Sequence, residues 1–282
     1  MSISCPPIRF ADGGVWTLDA CTRVMGVLNV TPDSFSDGGT VRGPQDAVAS
    51  AKRMAEAGAT VVDIGGESSR PGAAPVSADE EMRRVLPAIE AVRSAVDVRI
   101  SIDTVKASVA ARAIDAGADV VNDVSAGSDP EMLPLCAARG VPVILMHMRG
   151  TPRTMQDDTR YHDLLGEVVG FLRAAVQRAV AAGVAGDKIL VDPGIGFGKS
   201  PSGNLQILGD IAALKKVGQP VVVGASRKSF IGSVLDLRVT ERLEGSLAVA
   251  AVAAWQGAHV IRAHDVTETV RVVRMVDAIR RP

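Results

Sequence analysis

Eight short apolar runs recur along the chain, and each is followed by a polar loop and a segment with helical spacing of apolar residues. Strands that are buried on both faces read as continuous runs of Val, Ile and Leu, and helices between successive strands imply parallel pairing. The predicted strands span residues 24–29, 60–65, 98–103, 119–123, 141–147, 188–192, 220–224 and 259–262. This alternation predicts an α/β protein with a parallel sheet.

The segments between the runs predict about eight helices. In the first segment Ala47, Val48, Ala51 and Met54 recur at helical spacing as far as Gly58, which suits a helix stop. The other predicted helices span residues 78–96, 105–117, 130–140, 164–183, 205–217, 241–257 and 267–279. The pattern in 205–217 is less regular than in the others.

A single closed (β/α)8 TIM barrel fits these elements better than an open doubly wound sheet. Eight units use the whole chain of 282 residues and leave no sheet edge, and barrels of this kind commonly occupy about 250 residues. No shift in composition marks a linker, so we expect one domain over residues 1–282. Residues 2–19, including Trp16, precede the first strand, and we expect them to cap the barrel floor.

Composition bounds the possible partners. The chain has 31 Lys and Arg against 32 Asp and Glu, without a basic stripe, which argues against nucleic acid as the main partner. Cys5, Cys21 and Cys136 are too few and scattered for a metal cage or a disulfide framework. Residues 1–10 lack the pattern of a signal peptide, and the most apolar stretch, 247–255, is too short to span a membrane. We therefore expect a protein of the reducing cytoplasm.

Polar side chains stand where the predicted strands end. Active sites of barrels lie at the carboxyl ends of the strands, so these side chains are expected to share one rim. They are Asn29, the 66–72 loop with Arg70, Asp103, Asn122, His147, Asp192, Lys228 with its neighbours Ser226 and Arg227, Arg262 and His264.

Each of these residues also has a structural interpretation. Asp103 could be a helix N-cap, Asn122 a turn residue with positive φ, and Asp192 part of an Asp-Pro-Gly turn. His147 could be a satisfied core histidine. Two carboxylates, a carboxamide and Lys228 at one mouth, however, need partners if they are to lose water. The ring N–H and exocyclic amine of a flat heterocycle would satisfy the carboxylates.

A second cluster is cationic. Arg262 and His264 are two apart at a strand end, so both point to the same side, and Arg70 lies in a loop. With Asn29 they resemble a site for a phosphate or diphosphate, in which the Asn29 carbonyl oxygen is offered to Mg²⁺. The alternatives are a solvated loop charge for Arg70 and a rim salt bridge for Arg262.

The Gly-rich segment 194–199 invites comparison with a phosphate-binding loop. It lacks the Gly-Lys-Ser/Thr spacing of that motif, and we expect no helix directly after it. The sequence therefore does not predict a nucleotide loop here.

Taken together, the rim segments resemble the dihydropteroate synthases of folate biosynthesis over essentially the whole chain. The most specific segments are MGVLNVTPDSFSDGG at 25–39, DPGIGFGK at 192–199 and SRKSF at 226–230. The others are 63–72, 101–104, 122–125, 146–152 and 262–265. Ser69 stands where the family often has Thr. The serine keeps the hydroxyl, so we expect the function to be retained but the shape of the pocket to differ.

The resemblance implies a role for each rim residue. The pterin-binding residues would be Asp103, Asn122, Met146, Asp192 and Lys228. The diphosphate-binding residues would be Asn29, which also binds Mg²⁺, with Arg70, Arg262 and His264. The aminobenzoate-binding residues would be Phe35, Ser69, Pro71, Phe197, Lys228 and Ser229. The catalytic residues would be Arg70, Lys228 and Asp37, with Asp37 near Mg²⁺ once the first two loops close.

The implied reaction joins 6-hydroxymethyl-7,8-dihydropterin diphosphate to 4-aminobenzoate and releases diphosphate, a step that sulfonamides block, in a homodimer that uses Mg²⁺. Two alternatives stay open. A pterin-binding methyltransferase barrel would share Asp103, Asn122 and Asp192, although Ser226-Arg227-Lys228 and the Arg70 loop have no obvious purpose there. An inactive paralogue could bind pterin or partner a true synthase.

Overall fold

The computed structural model describes residues 6–18, 21–31 and 43–280. Within them, a two-stranded antiparallel hairpin precedes eight parallel strands. The hairpin is β1 (Ile8–Arg9) and β2 (Val15–Trp16). The parallel strands are β3 (Arg23–Asn29), β4 (Val61–Gly65), β5 (Arg99–Asp103), β6 (Val120–Asp123), β7 (Val143–Met146), β8 (Ile189–Asp192), β9 (Val222–Gly224) and β10 (Val260–Ala263).

The parallel strands close into a barrel. Neighbours along the chain pair from β3 to β8, and β10 lies between β3 and β9. A parallel bridge between Val191 and Val221 joins β8 to the run that leads into β9, so the ring has no open edge. The predicted (β/α)8 TIM barrel is confirmed. All eight predicted strands are present, with ends that agree to within two residues or so.

Helices cover the outside of the barrel. They are α1 (Pro44–Ala57), α2 (Ala78–Ala95), α3 (Ala107–Asp115), α4 (Met132–Arg139), α5 (Leu164–Ala181), α6 (Pro201–Gly209), α7 (Ser229–Leu235), α8 (Leu243–Trp255) and α9 (Val266–Arg280). Short 3₁₀ turns occur at Gly186–Lys188, Ile211–Val217 and Val239–Glu241. None of the helices in the described ranges is long and apolar enough to cross a membrane.

Two helices differ from the sequence prediction. The helix after β8 begins at Pro201 rather than near 205, because the Ser200 hydroxyl accepts a hydrogen bond from the amide of Gly203 and Pro201 starts the first turn. The expectation that no helix directly follows the 194–199 segment is therefore wrong. Helix α7 was not predicted, because its seven residues are too few to show a period.

The amino-terminal hairpin closes one end of the barrel, as predicted for the described part of residues 2–19. Ile8, Phe10 and Leu18 are buried against the amino-terminal ends of the strands, and Trp16 packs beside them. The strand residues in this layer are Met25, Val61, Val120, Ile144, Leu190, Val222 and Val260. The opposite end carries the polar strand termini.

Candidate active site

A buried polar network lies across the carboxyl ends of β4, β5, β6 and β10. The guanidinium of Arg262 donates from Nε to Oδ2 of Asp63 at 2.6 Å and from Nη2 to Oδ2 of Asp103 at 2.8 Å. Nδ2 of Asn122 donates to the same Asp63 oxygen at 3.1 Å. One arginine therefore joins two carboxylates, one of which also holds the carboxamide.

Strand register explains why these residues meet. Asn29 pairs with Gly65, Gly65 with Asp103, and Asp103 with Asn122, so the four residues share one level of the barrel. Asp63 lies two residues before Gly65 and points to the same face one layer deeper. The predicted convergence of Asp103 and Asn122 is thus a direct result of parallel pairing.

The low polarity of the barrel interior changes the pKa values of these groups. Burial raises the pKa of Asp103 to about 7 even though Arg262 opposes the shift. Burial also raises the pKa of Asp192, against the nearby positive charge of Lys228. For Lys228 burial lowers the pKa to about 7, and Asp192 limits the change. The neighbouring carboxylates raise the pKa of Arg262, which stays charged.

The loop from β8 to α6 forms the other wall of the mouth. Oδ1 of Asp192 accepts a 2.6 Å hydrogen bond from the amide of Gly194, which fixes one carboxylate oxygen. The Lys228 ammonium lies 4.4 Å from the centre of the Phe197 ring and donates to the carbonyl of Ile195. Met146 pairs with Asp192 in register and packs in one apolar cluster with Phe197.

Side chains hold the carbonyl groups of this loop. Lys199 donates to the carbonyls of Gly194 and Phe197, both at 2.8 Å, and Lys228 donates to that of Ile195. Gln156 donates to the carbonyl of residue 196 and Tyr161 to that of residue 198. A phosphate-binding loop presents N–H groups to its ligand instead. That this segment is not a nucleotide loop stays a prediction.

The structural interpretations of single residues fare differently. Asp103 does not cap α3, whose N-cap is Lys106, and Asn122 lies inside β6 without positive φ. Asp192 does cap the turn that follows it, while its other oxygen remains on the barrel side. His147 is a buried core histidine, 5% exposed, held by Lys199 and packed edge-on against Phe171.

The predicted anion-binding residues lie on the rim, except for Arg262. Asn29 ends β3, and Arg70 is exposed in the loop after β4. His264 directly follows β10, and its Nδ1 lies 3.1 Å from the hydroxyl of Ser226. Arg262 instead reaches inward to Asp63 and Asp103.

The predicted aminobenzoate-binding residues are spread over three loops. Ser69 is partly buried and Pro71 is exposed in the loop after β4, Phe197 is buried after β8, and Ser229 is the exposed first residue of α7. Phe35 and Asp37, predicted for the loop after β3, lie outside the described residues.

Sequence reasoning missed Asp63. It lies in the middle of an apolar run and is fully buried, and its Oδ1 has no hydrogen-bond partner among the described residues. A carboxylate inside a barrel strand is costly unless it is paired, which was the available signal. The pairing with Arg262 makes Asp63 part of the site.

The root of the loop after β4 is tied to the barrel by charge. Lys106, just beyond β5, binds Glu67 at the start of that loop and the fully buried Glu81 of α2, the latter at 2.5 Å. A cavity of about 250 Å³ lies beside them and reaches Asp103 and Met148. The loop that carries Ser69, Arg70 and Pro71 therefore starts from a fixed point next to the site.

A larger cavity, of about 710 Å³, lies at the floor end. Four of its charged groups are paired with one another, since Arg93 and Arg99 both bind Asp119 and Arg99 also binds Asp12. This cavity lies at the opposite end of the barrel from the polar network.

Comparison with known proteins places this geometry in a family. Residues 25–264 match the model of the family described as pterin binding enzyme. The chain belongs to the pterin binding enzyme family. Within this family, the chain is 50% identical to the dihydropteroate synthase of Escherichia coli K12 over 256 residues, which cover 91% of each chain.

Solved structures of pterin binding enzymes give the same result. A Yersinia pestis dihydropteroate synthase in complex with a sulfonamide drug is 46% identical, with a TM-score of 0.92 over 96% of this chain and 98% of that one. A Xanthomonas albilineans dihydropteroate synthase with 4-aminobenzoic acid is 43% identical, with a TM-score of 0.90 over 99% of both chains. The fold and the family predicted from the sequence are confirmed.

Proposed function

We propose that this chain is a dihydropteroate synthase, a transferase that joins 6-hydroxymethyl-7,8-dihydropterin diphosphate to 4-aminobenzoate and releases diphosphate. The observation that carries the proposal is the meeting of Asp103, Asn122, Asp192 and Lys228 at one barrel mouth, in a chain half identical to such an enzyme. The enzyme would belong to the transferases of alkyl or aryl groups other than methyl.

The pterin ring lies among the strand-held residues in this proposal. Asp192 and Asp103 accept hydrogen bonds from the ring N–H and the exocyclic amine, while Asn122 and Lys228 donate to ring acceptors. Met146 packs against the ring face. The Arg262 guanidinium already holds one oxygen of Asp103, so it orients that carboxylate as well as facing the leaving group.

The diphosphate group lies toward the rim, near Asn29, Arg70 and His264, with Arg262, which turns inward to Asp63 and Asp103, on its inner side. The residues present fit a Mg²⁺ ion that is shared with the diphosphate: Asn29 supplies one hard oxygen, and no cluster of three His, Cys, Asp or Glu side chains occurs among the described residues to hold an ion by protein alone. When bound, Mg²⁺ would offset charge that develops on the leaving diphosphate.

The arylamine of 4-aminobenzoate attacks the pterin methylene carbon as the bond to diphosphate oxygen breaks, and the nitrogen then loses one proton to the released diphosphate or to water. A neutral arylamine is already nucleophilic, so the protein mainly positions it and stabilises the charge that moves onto diphosphate. Phe197, Lys228 and Ser229 supply one side of this pocket. Phe35, Ser69 and Pro71 supply the other, with Arg70 and Asp37 closing over the reacting groups.

A coupled assay for diphosphate release tests the proposal. Release that requires both substrates, and that a sulfonamide inhibits, supports the synthase. Methyl transfer from a methylated folate to a corrinoid would instead identify the methyltransferase barrel. Pterin binding without turnover would identify an inactive paralogue.

The variant Asp192→Asn tests the pterin assignment separately. It removes the negative charge and replaces one of the two acceptor oxygens by a donor NH₂, but leaves the rim cations unchanged. We expect calorimetric titration to show a much larger loss of affinity for 6-hydroxymethylpterin than for magnesium diphosphate. Equal losses for the two ligands would contradict the assignment.

A homodimer in the cytoplasm completes the proposal. Large apolar side chains are exposed on the adjoining helices α6, α7 and α8, namely Leu205, Val234, Leu235, Val252 and Trp255. An exposed apolar face of this kind suits contact with a second copy of the chain. Sedimentation analysis should give a dimer that Trp255→Glu combined with Val234→Glu converts to a monomer, whereas Met275→Glu on α9 should leave it intact.

A further inference from the structure

Lys199 is a buried amine that the proposed reaction does not use, and burial lowers its pKa to about 7 although Asp192 opposes the shift. It is 2% exposed, and its ammonium lies 2.8 Å from the carbonyl oxygens of Gly194 and Phe197 and 2.9 Å from Nδ1 of His147. Three ammonium hydrogens thus meet three acceptors. The fully satisfied geometry makes Lys199 a bridge between the ends of β7 and β8.

Both sides of this bridge make further contacts. The amide of His147 donates to the carbonyl of Asp192 at 2.9 Å, and the His147 ring packs against Phe171. A side chain at Gly194 would come within 1.9 Å of the His147 carbonyl, so the two chain segments touch here. Lys199 therefore adds side-chain bonds at Gly194 and Phe197 to a contact that the backbone already makes at Asp192.

That segment carries the residues proposed for two substrates. Asp192, for the pterin, stands two residues before Gly194, and Phe197, for the aminobenzoate, supplies a carbonyl that Lys199 binds. A buried cation is a poor means of stabilising a fold, since apolar residues of similar volume often serve as well or better. Three directional bonds, in contrast, fix a loop in one geometry.

We propose that Lys199 is a positioning residue that sets the pterin and aminobenzoate contacts by clamping the 192–197 segment to His147. The inference rests on the proposed function and extends it. Loss of the clamp lets Asp192 and Phe197 shift, and displacement of about 1 Å in a binding group costs on the order of 100-fold in a catalysed rate. The diphosphate contacts on β3 and β10 do not touch the clamp.

The test compares Lys199→Met with Lys188→Met. Lys188 is a matched control, because its ammonium also donates to two carbonyls, those of Arg9 and Gly140, at the floor end of the barrel. Affinities for 6-hydroxymethylpterin and for magnesium diphosphate are measured by calorimetry. We expect Lys199→Met to weaken pterin binding about tenfold or more and diphosphate binding less than twofold, and Lys188→Met to change neither by twofold.

Two further variants complete the test. Lys199→Arg keeps the charge and donors and should recover part of the pterin affinity. His147→Leu removes one of the three acceptors and should weaken pterin binding more than twofold but less than Lys199→Met does. It keeps the test open if Lys199→Met does not fold.

Each outcome decides the matter. Pterin affinity within twofold of the parent in Lys199→Met, or in His147→Leu where Lys199→Met does not fold, overturns the inference. So does an equal loss for pterin and diphosphate. A parent protein that fails to bind 6-hydroxymethylpterin overturns the proposed function and this inference with it.

Discussion

Nε of Arg262 lies 2.6 Å from Oδ2 of Asp63, in a pair of which the carboxylate is fully buried. Nη2 of the same guanidinium lies 2.8 Å from Oδ2 of Asp103 on β5, the strand next to that of Asp63. Asp63, which has no assigned substrate contact, therefore orients Arg262 and, through it, Asp103, which is assigned to the pterin. Part of the site's geometry is set one layer below the mouth.

Replacing Asp63 by Asn should destabilise the protein and weaken pterin binding. The amide brings N–H groups toward Asn122 and removes the charge that balances Arg262, and breaking a buried pair costs about 3–5 kcal/mol. Urea unfolding measures the loss of stability. Ser101→Ala is the control. Ser101 pairs in register with Asp63, and its buried hydroxyl has no hydrogen-bond partner among the described residues. Removal of this hydroxyl should therefore change the free energy of unfolding little.

Replacing Arg70 by Ala should lower kcat and leave pterin affinity unchanged. Arg70 is exposed in the loop after β4. In the proposed closed site it faces the leaving group, and loss of one such charge-stabilising group costs about 100-fold in rate. Steady-state kinetics gives kcat, and calorimetry gives the affinity. The matched control is Arg153→Ala, an exposed arginine in the loop after β7. Unchanged turnover in Arg70→Ala would remove this residue from the closed site.

Pterin affinity should rise with pH between about 5.5 and 7.5. Burial raises the pKa of Asp103 to about 7 and also raises that of Asp192, so the free protein holds protons that pterin binding must release. Lys228 opposes the trend, because its pKa falls to about 7 and it loses its charge over the same range. Titrations at several pH values should show a flatter profile for Asp103→Asn and a steeper one for Lys228→Met.

Acid should destabilise the protein partly through His147. Burial and the charge of Lys199 lower the pKa of its imidazole to about 3, against about 6.5 when the chain is unfolded. Between these values the unfolded chain binds the extra proton, so the contribution is complete above pH 6.5 and is lost as pH falls toward 3. The slope is at most about 1.4 kcal/mol per pH unit. In His147→Gln the free energy of unfolding should depend less steeply on pH between 3 and 6.5 than in the parent. Identical slopes for the two proteins would refute the lowered pKa of His147.

The strand ends could be predicted from the sequence, because each apolar run stops at a recognisable polar residue. Asn29, Asp103 and Asn122 were found in this way, and parallel pairing then places them at one level. Asp63 could not be found by the same rule, since it stands inside a run. Its importance depends on Arg262, which is 199 residues away in the chain.

The same limit applies to Lys199 and to the inward turn of Arg262. Lys199 ends a Gly-rich loop and reads as a solvent-facing charge until the fold surrounds it. Arg262 and His264 were expected to point to the same side, but Arg262 crosses the barrel toward Asp103 while His264 lies beside Ser226. The spacing of residues along a strand predicts the face on which each side chain starts. It does not predict the partner of a side chain as long as that of arginine, which can reach a residue on another strand.

The hairpin formed by β1 and β2 closes the amino-terminal end of the barrel, so reactants reach the site from the carboxyl ends of the strands. Asp63, Asp103 and Asn122 lie deepest along that passage, and the loop residues Ser69, Arg70 and Pro71 lie outermost. A molecule bound between the loops blocks access to the deeper residues. With the two substrates placed as proposed, the pterin has to enter before the aminobenzoate, and the coupled product can leave only after the outer pocket opens.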